Sequence, residues 1–252
     1  MAPFAATNLQ LFNQLLAQGY AEDDLTRVRQ SYELARLLFT GQFCISRKTQ
    51  LSHCVGTASI LASFDAPPSL VAAGLIHNVY INGDFGDGVY GMSEPKRDLI
   101  RRTLGKDIEQ AAADFATIKW NGESISNFLS GQGHLTRDVV FLRLADILDH
   151  QLDGGVLFNS MFRLKRGGTK AVTPLVIKAA GTIGLPNLAK ELKRCKSEND
   201  SSQVLEPFYQ KFENHRHVVL VPSSYSLKIR LKVKKTITRY WPSGRQGDST
   251  DF

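Results

Sequence analysis

Two histidines and one aspartate, far apart in the chain, have side chains that commonly bind divalent metals: His53, His77 and Asp146. His77 and the adjacent Asn78 lie in the apolar stretch LVAAGLIHNVY, where burying an unpaired polar group costs on the order of 1–3 kcal/mol. A bound metal or a hydrogen-bond network would offset that cost. Imidazole and carboxylate groups from several helices are typical ligands of manganese, iron or zinc. Water bound to such a metal loses its proton more easily and can attack phosphorus.

Apolar residues recur with helical spacing along most of the first 214 residues, which predicts an all-α domain. Thr7 and Thr136 can cap two of these helices, and proline or glycine marks other ends. His53, His77 and Asp146 then belong to three different helices, and residues 119–134 form a loop. The predicted helices cover about residues 8–18, 22–39, 49–64, 67–82, 93–104, 106–118, 136–153, 171–195 and 201–214.

The basic residues are concentrated near the C-terminus. The formal net charge is +7, and seven basic and no acidic residues lie between residues 228 and 245. Without that stretch the chain is neutral, so its charge does not indicate that the main domain binds nucleic acid. We therefore predict a helical domain of residues 1–215, with a core of about residues 22–154, and a basic extension of residues 216–252.

The extension changes from helical to alternating patterning. HVVLVP reads as a short extended run, and SLKIRLKVKK alternates apolar with basic residues, which predicts a β-like segment before a disordered end. Residues 228–245 could bind an anionic membrane surface or an acidic polymer, with Tyr240 and Trp241 at the interface. The alternative is an edge strand packed on the domain, whose lysines prevent aggregation. Nucleic acid is not favoured, because base stacking needs more interleaved aromatic residues.

The sequence contains no apolar run of about 18 residues, no secretory signal and no C-x-x-C pair. We interpret its cysteines, Cys44, Cys54 and Cys195, as reduced thiols. These features predict a cytoplasmic protein.

Three blocks of the sequence resemble the HD superfamily of metal phosphohydrolases, most closely the hydrolase domain of the RelA/SpoT type. That family reads GQ-x-R-x-SG-x-P-Y-x-x-H, then HD-x-x-ED, then LADR-x-HN. This chain reads GQFCISRKTQLSH, then IHNVYIN, then LADILDH. Segments such as GTASILASF and the GDFGDG loop are similar to a bacterial branch of HD-like domains that has no known activity. The resemblance covers residues 28–153 and implies an HD-domain-like helical bundle with His53, His77 and Asp146 at the metal-ligand positions.

The chain also departs from the family pattern. Asn78 stands where the family has the aspartate of its His-Asp pair, so it could be a fourth, weaker ligand or an amide bonded to a neighbour. Ile81 and Asn82 replace the catalytic Glu-Asp pair, and Cys44 replaces a nucleotide-contacting arginine. These differences argue against hydrolysis of guanosine tetraphosphate.

Two residues that follow Asp146 share its helical face. Asp149 and His150 come three and four residues later, so Asp149 could accept a proton and His150 could contact substrate. The alternative is that both simply face solvent, as residues so placed on a helix more often do.

The segments beside the two histidines offer further candidates. Asp84 lies in the glycine-rich loop GDFGDGVYG, which could be a lid that presents Asp84 as a base, or a flexible connector. Arg47 and Lys48, one turn before His53, could contact a phosphate or simply be solvated.

We therefore expect a divergent HD-type phosphohydrolase that uses a divalent metal and acts on a small phosphorylated compound or nucleotide. The alternative is a non-catalytic HD-like module that binds a ligand or partner, and the basic tail could attach either to a surface.

Overall fold

The computed structural model describes residues 4–44, 48–154, 157, 166–202 and 218–219. This part of the chain is all-α apart from one pair of two-residue strands. Within it, no helix is both long and apolar enough to cross a membrane. Arg47 and the basic stretch of residues 228–245 lie outside the described residues.

Three predicted helix starts are confirmed. Thr7, Thr49 and Thr136 each accept a hydrogen bond from a backbone N–H in the first turn of the following helix. The helices are α1 Asn8–Ala17, α2 Glu22–Phe39, α3 Gln50–Ser63, α4 Pro68–Gly74, α5 Val79–Asn82, α6 Glu94–Leu104, α7 Lys106–Thr117, α8 Gly122–Leu129, α9 Arg137–Gln151, α10 Arg166–Thr182 and α11 Pro186–Ser201, and the strands are β1 Gln42–Phe43 and β2 Val218–Val219.

Helix α3 lies at the centre of the fold. Every residue from His53 to Ala62 is buried, because α1, α2, α4 and α9 pack around this helix. A helix covered on all sides has no solvent face, so its polar side chains must find partners inside the protein. His53 is one of them.

The apolar segment that carries His77 is broken, contrary to the prediction of one helix over residues 67–82. Helix α4 ends at Gly74, the next four residues form turns, and α5 begins at Val79. His77 Nδ1 donates to the Gly74 carbonyl oxygen at 2.7 Å, a bond that competes with the helical ladder. His77 and Asn78 therefore lie at a helix break rather than in a helix interior.

Two other helix predictions also need correction. Residues 119–134, predicted as a loop, contain α8, which starts at a capping box formed by Asn121 and Ser124. The segment predicted as one helix over residues 171–195 is divided between α10 and α11, because Gly184 has a φ of 80°. The helix predicted over residues 201–214 falls almost wholly outside the described residues.

The extended run predicted in HVVLVP is confirmed for two residues. Val218 and Val219 pair antiparallel with Phe43 and Gln42. The division of the chain at residue 215 stays a prediction.

Candidate metal centre

The three side chains implied as metal ligands meet at one buried point, and we call them the buried triad. His53 from α3 and His77 from the helix break are fully buried, and Asp146 from α9 is 6% exposed. Asp146 Oδ1 lies 3.1 Å from His53 Nε2 and 3.5 Å from His77 Nε2, and the two Nε2 atoms are 3.2 Å apart. Ligands about 2.0–2.1 Å from a tetrahedral metal lie roughly 3.3 Å from one another. The donor atoms therefore have the spacing that a small divalent ion requires.

Each member of the triad is held from behind by a second group. His53 Nδ1 bonds Asp149 Oδ2 at 2.7 Å, and His77 Nδ1 donates to the backbone carbonyl at position 74. The outer oxygen of Asp146, Oδ2, accepts from Arg143 at 3.3 Å. Such partners orient metal-ligating groups and fix the tautomer of the imidazoles. They leave two Nε2 atoms and Oδ1 directed at the common point.

Burial and hydrogen bonding act in opposite directions on the pKa values of the buried triad. Burial acts to lower the pKa of His53, but the hydrogen bonds that the imidazole donates to Asp146 and Asp149 outweigh it and raise the pKa to about 10. Burial dominates at His77, where it lowers the pKa and keeps the imidazole neutral. Burial would raise the pKa of Asp146, yet its hydrogen bond with His53 and the nearby charge of Arg143 hold that pKa well below its usual value.

Asn78 contacts the triad directly. It is 9% exposed, and its Nδ2 lies 2.7 Å from His77 Nε2. Because His77 Nδ1 carries the proton given to Gly74, Nε2 is the acceptor in this bond. In this orientation the amide occupies the lone pair that a metal would use, while rotation of the amide would present Oδ1 instead.

Asp149 and His150 both face the cluster, so the alternative that they face solvent is wrong. Asp149 is 2% exposed and bridges His53 to Lys48, whose Nζ lies 3.1 Å from Asp149 Oδ1. His150 stacks on His53 with ring centroids 4.2 Å apart, and its Nε2 is 3.5 Å from Asp146 Oδ1. Burial, followed by the charge of His53, lowers the pKa of His150 to about 3.

Within the described part of the chain, no hydrogen bond or ion pair joins Asp84 to the buried triad. It is exposed, and its Oδ1 accepts from the Gly86 backbone N–H at 2.8 Å, which is a local turn contact. Ile81 is also exposed, and Asn82 donates to Gln50. Of the predicted phosphate-contacting pair, Lys48 lies beside the cluster and Arg47 falls outside the described residues.

Two residues that sequence reasoning missed shape the centre. Arg143 stacks over the Phe115 ring at 3.6 Å while it binds Asp146, and its position three residues before Asp146 was a usable signal. Gly56 lies one turn after His53, and a Cβ built there would lie 2.0 Å from Asp149 Oδ1. A side chain at position 56 would thus occupy the space of the carboxylate that orients His53.

Replacing Gly56 by alanine is therefore expected to lower the free energy of unfolding by about 1–3 kcal/mol, the usual result of overpacking. The matched control is Gly181→Ala in α10, where the added Cβ meets nothing within 4 Å. There alanine should stabilise by roughly 0.5–1 kcal/mol, because a helical glycine loses more backbone entropy on folding. Urea unfolding of the two variants measures both values, and equal effects would contradict the close approach of α3 and α9.

One protein-family model matches part of the chain. Residues 37–119 match the family model described as Domain of unknown function (DUF6817). The matched segment contains His53 and His77 and ends before Asp146. No curated protein matches the chain.

Proposed function

We propose that the chain is a divergent HD-type phosphohydrolase that uses manganese, iron or zinc to act on a small phosphorylated compound or nucleotide. The observation that supports it is the convergence of two imidazole Nε2 atoms and one carboxylate oxygen within 3.5 Å, each residue held by an outer partner. Purely structural polar clusters need no such shared direction of their donor atoms.

His53, His77 and Asp146 would hold the metal, and Asn78 would assist after rotation of its amide. When bound, the metal would supply a water of lowered pKa and would polarise a phosphoryl oxygen. Asp149 would keep His53 Nδ1 protonated, so that Nε2 remains the ligand atom.

The charges around the triad support an anionic substrate. Lys48 and Arg143 are cationic, and their side chains are 21% and 18% exposed, whereas the triad beside them is buried. His150 is 17% exposed on the same helix as Arg143. These three side chains would line the accessible side of the centre, where Lys48 and Arg143 would attract a phosphate group and His150 could contact it.

The test is release of inorganic phosphate from a panel of phosphorylated metabolites and nucleotides with added manganese. Wild-type protein should release phosphate from at least one compound, and His77→Ala should fall to background. Asp84→Asn is the matched control, because its exposed carboxylate makes only a local bond. If Asp84→Asn is as active as wild type, Asp84 is not the proton acceptor. If His77→Ala is as active as wild type, the proposal is overturned.

A second candidate function is a non-catalytic HD-like module that binds a ligand or partner. The orientation of Asn78 favours it, because the amide already satisfies His77 Nε2, and Ile81 and Asn82 provide no carboxylate. If this second function is correct, elemental analysis should find the purified, folded protein free of metal. If the protein is a hydrolase, the same analysis should find about one metal ion per chain.

The tail and the cellular location belong to the same proposal. We place the protein in the cytoplasm and propose that residues 228–245 attach it to an anionic membrane surface or acidic polymer. Binding to vesicles that contain anionic lipid should then weaken with added salt and disappear when the residues after Ser226 are deleted. Binding that survives this deletion would refute the role of the tail.

A further inference from the structure

Beside the buried triad lies a second group of metal-binding atoms, contributed by Cys44, His53 and His150, which we call the outer triad. One ligand atom from each of the three residues lies within 4.8 Å of the other two. His53 belongs to both triads. Cys44 and His150 are partly exposed, whereas His77 and Asp146 are buried.

Local structure holds Cys44 in this position. It directly follows β1, and its backbone N–H donates to the Lys48 carbonyl oxygen at 2.9 Å. Its Sγ lies 3.2 Å from the same oxygen. His150 is held on the other side by its stacking on His53, with the two ring planes 18° apart. A thiol and two imidazoles are thus fixed on neighbouring elements rather than collected by chance on one flexible loop.

The two triads have to compete for His53. Its Nε2 lies 3.2 Å from His77 Nε2 and so faces the buried triad, while its Nδ1 bonds Asp149 at 2.7 Å. A neutral imidazole has one lone pair for a metal, so His53 can bind an ion in only one triad at a time, and the two positions therefore exclude each other. What differs between them is the remaining donors: an imidazole and a carboxylate in the buried triad, an imidazole and a thiol in the outer one.

We propose that a single metal ion occupies one of two positions that share His53, with a strongly thiophilic ion such as cadmium bound by the outer triad and manganese by the buried triad. Thiolates prefer soft ions, and carboxylates prefer hard ones. A nitrogen and a sulfur ligand of the same tetrahedral ion lie roughly 3.5 Å apart, from bond lengths of about 2.0–2.3 Å. The outer atoms, which lie within 4.8 Å of one another, can close to that separation because the side chains of Cys44 and His150 are partly exposed.

This inference goes beyond the proposed hydrolysis and does not require it. It gives the protein a site whose occupant depends on which metal is in excess. A cadmium ion at the outer triad would take His53 from the buried triad and so exclude manganese.

The experiment uses cadmium and manganese with the full-length chain under reducing conditions. Cadmium binding is followed through the ultraviolet thiolate-to-cadmium charge-transfer band, and manganese binding through the loss of its free-ion paramagnetic resonance signal. Wild-type protein should bind one ion in total, with cadmium displacing manganese. Cys44→Ser should abolish the charge-transfer band and weaken cadmium binding on the order of 100-fold, while manganese affinity stays unchanged.

His77→Ala should give the reverse result, with manganese binding lost and the cadmium band retained. Cys195→Ser is the matched control, because Cys195 is buried in α11 and belongs to neither triad, so its band should equal that of wild type. A wild-type protein that binds cadmium without the band, or a Cys44→Ser variant with wild-type cadmium affinity, would overturn the proposal. Competing binding of cadmium and manganese without any release of phosphate would refute only the hydrolase proposal, so the two failures are distinguishable.

Discussion

Replacing Asp146 by asparagine is expected to remove manganese binding from the buried triad. Asp146 Oδ1 is the atom nearest to both histidine Nε2 atoms, and its charge is the only negative one among the three proposed ligands. An amide of the same shape keeps an oxygen but loses that charge. Since loss of a mere outer partner costs about 10–100-fold in metal affinity, loss of the ligand charge should weaken manganese binding by at least roughly 100-fold.

The asparagine variant separates metal loss from misfolding better than alanine does, because it preserves volume in a buried cluster. Isothermal titration with manganese gives the affinity, and circular dichroism gives the fold. Arg143→Gln is a graded companion, since it removes the charge that binds Asp146 Oδ2 and should weaken affinity less than the ligand change does. A folded Asp146→Asn protein with wild-type manganese affinity would show that the triad is a polar cluster and no metal site.

The largest loss of stability is expected at Glu109, which lies in α7 and outside the metal centre. Its carboxylate is 1% exposed and accepts hydrogen bonds from three side chains: the Tyr80 hydroxyl at 2.7 Å, Arg97 Nε at 2.7 Å and Arg101 Nε at 3.0 Å. Removing one partner of a buried ion pair costs about 3–5 kcal/mol, because the other charges lose their compensation. We expect Glu109→Ala to lower the free energy of unfolding by about 3 kcal/mol, the lower end of this range. Both guanidinium groups are partly exposed and can bind water in place of the lost carboxylate.

Urea unfolding measures this loss, and Glu94→Ala is the matched control. Glu94 binds the same Arg101 from the surface, with its side chain 64% exposed. An exposed ion pair contributes only about 0–1 kcal/mol, so this variant should stay near wild type. Equal losses in the two variants would contradict the role of burial.

The contribution of Glu109 should also depend on pH. Burial would raise the pKa of Glu109, but the bonds from Arg97, Tyr80 and Arg101 together lower it. A carboxyl group whose pKa is lower in the folded state stabilises the fold fully above its ordinary pKa and loses that effect as the pH falls through the folded value. The difference between wild type and Glu109→Gln should therefore shrink in acid, and a difference that grows in acid would refute the assignment.

This network bears on the metal centre through Tyr80. Tyr80 belongs to α5, the short helix that directly follows His77 and Asn78, and its bond to Glu109 ties α5 to α7. Replacing Glu109 by alanine removes this bond between α5 and α7. The manganese affinity of the buried triad should therefore fall modestly together with the stability.

The sequence by itself determined the helices whose signals are local. A threonine before an apolar-periodic run is enough to start α1, α3 and α9, because the cap bond and the first turn involve residues at most four apart. The residue types of the buried triad could also be predicted, since a histidine in an apolar stretch needs a polar partner. Asn121 capped α8 in the same local way, and that signal was present but not used.

Only the tertiary structure decided which atoms meet. His53 and His77 are 24 positions apart, His53 and Asp149 are 96, and Lys48 and Asp149 are 101. Such contacts depend on how α3, α9 and the helix break pack together, which no local propensity encodes. Packing turned Asp149 inward because Gly56 leaves space for its carboxylate, and it brought Cys44 next to His150. The donor types are thus a property of the sequence, whereas their shared direction comes from helix packing.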